Sequence, residues 1–287
     1  MEGLQIGTVQ TGHIFRQVEG GYLLLINNQH VLLPFEDTDY DIEDNEALDV
    51  FIYYNRKDEL RATTYIPSVQ IGKYGWAEVV KILPRLGVFV NIGIDKDMLV
   101  SVDDLPAFEA VWPHEGDKLF VTLDVDHQRR LMAVLATEQI FLDRREIATE
   151  DLFNQQISGH VYFTSREGTA IFSEGGIRGF IHHSERETEP RLGEFVTGRV
   201  IDVKEDGTVN MSLLPLKQDR IANDAEVILE LLKSQKGVIP FSDKSDPQDI
   251  RKTFGFSKSA FKRALGRLMR ENKVEQRNGN TFLKTKD

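Results

Sequence analysis

The chain has 287 residues, of which 40% are hydrophobic and 28% are charged, a composition typical of a globular protein with two to four modules. It contains no apolar run near the roughly 18 residues of a membrane span, no N-terminal pattern of a secretion signal and no cysteine, so we expect a cytoplasmic protein without a membrane partner. The net charge of −11 by itself disfavours nucleic acid, because phosphate backbones repel an acidic protein.

Residues 1–68 are predicted to form a small five-stranded β-barrel. Runs rich in β-branched and aromatic residues are separated by short turns, of which Gly20-Gly21 is the clearest, and this spacing is typical of a closed barrel. It is the most degenerate of three similar segments. The predicted strands are residues 8–15, 22–26, 31–33, 47–54 and 60–65.

Residues 69–137 repeat this scheme as a second barrel. Gly75, Gly87 and Gly116-Asp117 precede its strands at points where the chain must turn. The predicted strands are residues 76–83, 88–92, 98–102, 119–125 and 130–135.

Residues 138–156 are predicted to be a helix that connects the second barrel to a third, because Ile140, Phe141 and Leu152 have helical spacing.

Residues 157–216 are predicted to form the third barrel, in which the turn Asp206-Gly207 joins the last two strands. The predicted strands are residues 161–164, 169–172, 179–182, 195–203 and 208–213.

Residues 217–287 are predicted to form a winged helix-turn-helix, so the fold class is mainly β with tandem five-stranded OB-type barrels and a C-terminal α+β module. An amphipathic helix comes first, with apolar residues at helical spacing up to Leu232. Ser245 or Asp246 then caps a second helix, which Gly255 ends in a left-handed conformation, and Ser257 caps a third.

The helix after Ser257 is expected to separate apolar from basic residues. Its apolar face is predicted to hold Phe261, Leu265, Leu268 and Met269, and its opposite face Arg263, Arg267 and Arg270. Asn278-Gly279 predicts a hairpin after it, which completes the layout in which a helix enters a groove and a wing touches the backbone. Residues 219–287 carry 15 Lys and Arg against 10 Asp and Glu, a net charge of +5, whereas residues 1–218 carry 20 against 36, a net charge of −16.

The barrel motifs resemble the RNA-binding OB fold of ribosomal protein S-one. The motifs that match are Gly87-Val88-Phe89-Val90 and Gly116-Asp117 in the second barrel, and Gly159-His160-Val161, Gly179-Phe180-Ile181-His182-His183-Ser184, Gly193-Glu194 and Asn210-Met211-Ser212-Leu213 in the third. The order of the modules and the stretches DKSDPQDI and SKSAFKRALGRLM resemble, over essentially the full length, the bacterial conserved virulence factor B family. This resemblance implies RNA binding and regulation of gene expression after transcription.

The barrels depart from that pattern at positions that matter for RNA. In the third barrel Thr169-Ala170-Ile171 stands where an aromatic would form a base-stacking platform, and in the second Met98-Leu99-Val100-Ser101 replaces the His-x-Ser segment. The first barrel retains neither element cleanly. Each barrel is therefore expected to have lost part of the usual RNA face.

Single strands bind OB barrels through bases stacked on aromatic rings and phosphates paired with Lys or Arg, so such residues are the candidates. Those of the second barrel are Trp76, Lys81 and Phe89, and Phe89 matches the family's stacking position although strand alternation equally allows a core position. Those of the third barrel are Tyr162, Arg166, Phe172, Arg178, Phe180, His182 and Arg199, and two of the aromatics among them are expected to be core residues. Those of the C-terminal module are Lys258, Lys262, Arg263, Arg267, Arg270, Lys273 and Arg277.

The sequence carries no phosphate loop, nucleophile elbow or paired acid and base, so we expect neither an enzyme nor a cofactor. His182 and His183 are expected to face opposite sides of a strand, which disfavours a metal site. The leading hypothesis is a regulator that binds single-stranded RNA through the barrels and the basic helix. A DNA-binding transcription regulator and an assembly factor that docks proteins remain open as alternatives, and the sequence leaves the oligomeric state open.

Overall fold

The computed structural model describes residues 3–38 and 47–284, which form two compact units, Met1–Leu213 and Leu214–Asp287. The first unit holds three closed five-stranded β-barrels, and the second holds a three-stranded sheet with helices. The predicted fold class, mainly β with OB-type barrels followed by a winged helix, is confirmed.

The first barrel has the strand order β1-β2-β3-β5-β4, in which only β3 and β5 run parallel among its pairs in the described residues. Its inward side chains, such as Leu24, Val31 and Ile52, form an apolar core. Its strands are β1 (Val9–Val18), β2 (Gly21–Ile26), β3 (Gln29–Pro34), β4 (Ala47–Tyr54) and β5 (Leu60–Thr63).

The second barrel has the order β10-β8-β7-β6-β9, and its core is continuous with buried residues of the first, since Phe51 and Tyr53 belong to the same cluster. Gly87 has φ of 132°, and a Cβ there would lie 2.0 Å from the backbone oxygen of Val100, so only glycine fits. Its strands are β6 (Gly75–Leu83), β7 (Gly87–Asn91), β8 (Met98–Ser101), β9 (Lys118–Val125) and β10 (Leu131–Leu135).

The connecting segment is less helical than its spacing predicts. Helix α1 (Glu138–Arg144) has seven residues and ends at Arg145, which is extended. The helix stops because the next backbone groups pair with the third barrel: the Glu146 amide donates to the Gly176 carbonyl and the Ala148 amide to the Gly207 carbonyl. The prediction of a helix throughout 138–156 is therefore wrong.

The third barrel has the order β11-β12-β13-β15-β14 and repeats the topology of the first. The first strand of every barrel contains a β-bulge, and in the third it lies between Val161 and Phe163. Its strands are β11 (Gln156–Thr164), β12 (Gly168–Ser173), β13 (Arg178–His182), β14 (Phe195–Val203) and β15 (Val209–Ser212).

The second unit confirms the predicted order of helices and hairpin. Asp246 and Ser257 cap α3 and α4 by accepting backbone amides, Gly255 has φ of 80°, and Asn278-Gly279 forms the hairpin turn with both φ values positive. The sequence did not indicate β16, which completes the sheet order β16-β18-β17. The elements are α2 (Lys217–Ser234), β16 (Val238–Ile239), α3 (Pro247–Phe254), α4 (Lys258–Arg270), β17 (Val274–Arg277) and β18 (Asn280–Leu283).

Helix α4 packs through Phe261, Leu265 and Leu268, but Met269, which was predicted to share their apolar face, is 46% exposed. Met269 directly follows Leu268, and the 100° step between them carries its side chain past the edge of the buried stripe.

In the part of the chain that the structure describes, no helix has the length and apolar character needed to cross a membrane.

Candidate nucleic-acid interface

The exposed face of α4 presents a stripe of cations. Lys262, Arg263 and Arg270 are exposed, and Lys258 is half-buried at the start of the helix. Among the residues that the structure describes, no carboxylate lies within ion-pair distance of Lys262 or Arg263, and the Arg270 Nε donates to the Gly266 carbonyl of its own helix at 3.4 Å. This stripe, Lys262, Arg263 and Arg270, offers positive charge to an incoming phosphate.

Three other predicted cations of this unit, Arg267, Lys273 and Arg277, have carboxylate partners. Arg267 and Lys273 both reach Glu271, at 2.8 and 2.7 Å, and Arg277 reaches Glu275 at 2.6 Å. Hydrogen bonds from Lys273 and then Arg267 lower the pKa of Glu271 to about 2, so this carboxylate stays ionised at neutral pH. A phosphate would have to compete with these carboxylates, which makes Arg267, Lys273 and Arg277 weaker candidates than the stripe.

In the second barrel, Lys81 and Phe89 form a cross-strand pair on the outer surface. Val88 and Val90 are buried, so Phe89 between them points away from the core, and Leu99 pairs with it on the other side. Phe89 is half-buried and Lys81 is exposed. The alternative that Phe89 is a core residue is thereby excluded, and a ring beside an ammonium group is available on this face.

Trp76 does not present an open ring. It contacts the rings of Phe120 at 5.0 Å and His160 at 4.9 Å between centroids, and it lies 6.5 Å from Phe141 of α1. Phe141 is only 1% exposed. Trp76 thus belongs to an aromatic cluster that joins the second barrel, α1 and the third barrel.

Tyr162 and Phe172 lie on the opposite side of the same cluster. The ring of Phe141 stacks on Tyr162 with centroids 3.8 Å apart and contacts Phe172 at 5.2 Å. Tyr162, Phe172 and Phe180 all lie outside the buried core of the third barrel, so the expectation that two of its aromatics are core residues is wrong, and α1 covers Tyr162 and Phe172. Their predicted role as base-stacking surfaces, like that of Trp76, is revised to one of holding two barrels together.

Arg178 is held by the same helix. Its guanidinium reaches Glu138 at 3.1 Å and donates to the Tyr162 hydroxyl at 3.1 Å, while that hydroxyl donates to Glu138 at 2.7 Å. Burial is the main cause that raises the pKa of Tyr162, so the hydroxyl keeps its proton. Arg178 also lies over the ring of Phe180, 5.7 Å from its centroid, and its charge is already compensated.

The remaining candidates of the third barrel differ in accessibility. Arg166 is exposed in the loop between β11 and β12, whereas Arg199 is half-buried and donates to Asn154 at 3.3 Å. His182 is exposed, and its ring lies 4.2 Å from that of His183. The expectation that these two histidines face opposite sides is wrong, because β13 ends at His182 and a 3-10 turn begins at His183.

The sequence reasoning missed Phe163, which is 52% exposed. The bulge in β11 makes Phe163 pair with Ala170, and Ala170 in turn pairs with Phe180, so the three are neighbours across the sheet, with Ala170 fully buried. Phe163 and Phe180, but not the buried Ala170, line a cleft of about 740 Å³ that also contacts the second barrel and α1. Nothing in the sequence marks the bulge, although the first strand of every barrel contains one.

Comparisons with known proteins agree with this architecture. Four family models match consecutive segments: "S1 domain" at residues 6–65, "CvfB first S1-like domain" at 74–134, "Virulence regulatory factor CvfB, second domain" at 141–215 and "CvfB-like winged helix domain" at 226–283. The family's first domain therefore corresponds to the second barrel.

Relatives match over most of their length. Protein YitL of Bacillus subtilis (strain 168) is 46% identical over 99% of this chain and 95% of its own. Conserved virulence factor B of Staphylococcus aureus (strain N315) is 37% identical over 86% of this chain and 83% of its own. A crystal structure of a multidomain protein with nucleic acid binding domains from Streptococcus pneumoniae TIGR4 is 36% identical, with a TM-score of 0.68 and coverage of 97% and 98%. The chain belongs to the conserved virulence factor B family.

Proposed function

We propose that this protein is a nucleic-acid-binding regulator that holds single-stranded RNA and acts on gene expression after transcription. The observation that carries the proposal is the exposed stripe of Lys262, Arg263 and Arg270, which has no carboxylate partner among the described residues although the chain is acidic overall. A local cluster of this kind attracts a polyanion within roughly 10 Å even when the net charge is negative.

The barrels support the same proposal. The pair Lys81 and Phe89 combines a cation with an accessible ring, which is how OB barrels hold a phosphate and its base. Arg166 adds a second exposed cation in the third barrel. The name "Virulence regulatory factor" of the matched family model and the nucleic acid binding domains named for the pneumococcal structure agree with a regulator of this class. The cysteine-free composition makes the cytoplasm the compartment we propose.

A titration of labelled single-stranded RNA by fluorescence anisotropy tests the proposal. If the three stripe residues, Lys81 and Arg166 each neutralise one phosphate, log K falls against log salt with a slope of about −3.5, since each single-strand phosphate contributes about −0.7. Affinity then drops about 130-fold between 50 and 200 mM salt. Lack of binding at 50 mM salt would refute the proposed function.

Duplex DNA is the second candidate ligand, and a specific observation favours it. Helices α3 and α4, joined by a short turn and followed by the β17–β18 hairpin, have the arrangement in which a second helix enters the major groove. A competition experiment decides between the two ligands. Release of bound RNA by unlabelled single-stranded RNA, but not by an equal concentration of duplex DNA, supports the RNA proposal, and the reverse order supports a transcription regulator.

Gly266 provides a separate prediction within α4. It lies between the stripe residues on the helix surface, and a Cβ there would meet no heavy atom within 4 Å. Gly266→Ala should therefore raise the free energy of unfolding by about 1 kcal/mol, the difference in helix propensity, and should weaken RNA binding because the added methyl group obstructs close approach to the stripe. Urea denaturation and anisotropy measure the two effects.

Gly255→Ala is the matched control for that prediction. Gly255 ends α3 with φ of 80°, where a side chain is strained, so this change should lower stability by about 1 kcal/mol. A Gly266→Ala protein that is more stable and binds RNA with unchanged affinity would show that the ligand does not approach the helix at this point.

A further inference from the structure

The cleft beside Phe163 is a feature of the first unit that the charge-based proposal leaves unused. It has a volume of about 740 Å³ and is walled by the second barrel at Leu105 and Pro106 and by the third barrel at Phe163 and Phe180. Both barrels are needed to form it, since neither wall encloses the space by itself. A cavity of this size accommodates a group as large as one nucleotide.

Two phenylalanines, Phe163 and Phe180, line the cleft, and Phe163 presents the more exposed ring. Ala170 lies between them in the sheet and is fully buried. Two strand spacings of about 4.8 Å separate the strands of Phe163 and Phe180, or roughly 10 Å in all. A planar base stacks on a ring at a contact distance of about 3.5 Å, and the 52% exposed ring of Phe163 leaves room for that contact on its open face.

The charge of the cleft disfavours phosphate. Three carboxylates and one guanidinium line it, from Asp104, Glu138, Glu167 and Arg178, and the guanidinium is already paired with Glu138. The carboxylates of Asp104 and Glu167 remain as acceptors for N–H groups. Exocyclic amino groups, which adenine, cytosine and guanine carry on their edges, are donors of the required kind, and uracil has none.

We propose that this cleft takes a single unstacked nucleobase that carries an exocyclic amino group, with its sugar and phosphates left outside. The base stacks against Phe163, and its amino group donates to the carboxylates at the rim. Arg166 is exposed and directly precedes the cleft-lining Glu167, and we assign to it the phosphate left outside the cleft. This inference rests on the proposed RNA binding and adds to it a preference between bases that the cationic stripe cannot supply.

The test uses the full chain and two labelled 12-nucleotide RNAs, one of adenosine and one of purine riboside, which is adenosine without its amino group. The unaltered protein should bind the adenosine RNA about tenfold more tightly, because a hydrogen bond from an amino group to a carboxylate is lost in the other. Phe163→Ala should weaken binding of the adenosine RNA about tenfold and abolish the difference between the two RNAs, because the base is no longer held against the rim.

Phe153→Ala is the matched control, because Phe153 is 48% exposed, close to the 52% of Phe163, but does not line the cleft. It should leave both affinities unchanged. Equal binding of the two RNAs by the unaltered protein, or full retention of affinity in Phe163→Ala, would overturn the assignment of the cleft while RNA binding itself stands. If the unaltered chain binds neither RNA at low salt, the proposed function fails and the inference fails with it.

Discussion

The variant in which Lys262, Arg263 and Arg270 are all alanine should bind single-stranded RNA about 100-fold more weakly than the unaltered chain at 0.1 M salt. Each single-strand phosphate contact contributes about 0.7 to the steepness of the plot of log K against log salt, so three contacts contribute about 2. A slope of that size corresponds to a factor of about 100 in affinity between 1 M and 0.1 M salt, and this is the gain from ion release that the variant loses at 0.1 M. The slope itself should fall from about −3.5 to about −1.4, and the loss should be the same for different RNA sequences because phosphates carry no sequence information.

A second triple variant removes the same number of charges at other exposed lysines, Lys57, Lys233 and Lys244, and should retain most of the affinity. Each stripe residue is exposed, so circular dichroism should show a folded protein in both variants. An equal loss of affinity in the two triple variants would mean that net charge alone governs binding, and it would remove α4 from the interface.

Local sequence signals predicted the elements of this fold with few errors. The turn Asn278-Gly279, the caps at Asp246 and Ser257 and the left-handed Gly255 each fix the backbone through interactions within a few residues, so the sequence alone indicates them. The failures are of another kind. The connecting segment has helical spacing, but Glu146 and Ala148 pair with the third barrel, and such distant partners leave no local trace.

In the candidate site, too, local sequence patterns predict some features, and other features depend on contacts with distant parts of the chain. Alternation along a strand left open whether Phe89 points into or out of its barrel, and it does not say what covers the outer surface. Phe89 remains accessible beside Lys81, whereas Tyr162, Phe172 and Trp76 are covered by Phe141 from α1. The bulge in β11 shifts the alternation of inward and outward side chains by one residue, so Phe163 points outward. For that reason Phe163 was not among the predicted site residues.

Charge patterning likewise overstated the number of available cations. Counting Lys and Arg on α4 and the hairpin treats every positive charge as equal, but Glu271 and Glu275 compensate Arg267, Lys273 and Arg277. The partners of Lys273 and Arg277 are only two residues away, and that of Arg267 is four residues away, spacings that a sequence reading can examine. The stripe of Lys262, Arg263 and Arg270 is therefore a smaller and better-defined candidate binding site than the full set of basic residues in this module.

Phe141→Ala should lower the free energy of unfolding of the first unit by about 3 to 5 kcal/mol, the usual cost of removing a buried phenylalanine. Phe141 is 1% exposed and contacts rings on both barrels, Phe120 at 5.3 Å on one side and Tyr162 at 3.8 Å on the other. Alanine leaves a cavity between barrels that no nearby side chain fills. Urea denaturation followed by tryptophan fluorescence is the measurement, because Trp76 lies in the same cluster.

Phe141→Leu separates the loss of volume from the loss of contact. Leucine keeps most of the apolar contact, so the cost should fall well below that of alanine, and the exposed Phe153→Ala should change stability by no more than about 0.5 kcal/mol. Because the cleft requires walls from both barrels, Phe141→Ala should also reduce the preference for adenosine over purine riboside under conditions where the chain is folded. A loss of less than about 1 kcal/mol, with that preference intact, would show that the second and third barrels keep their arrangement without the aromatic cluster.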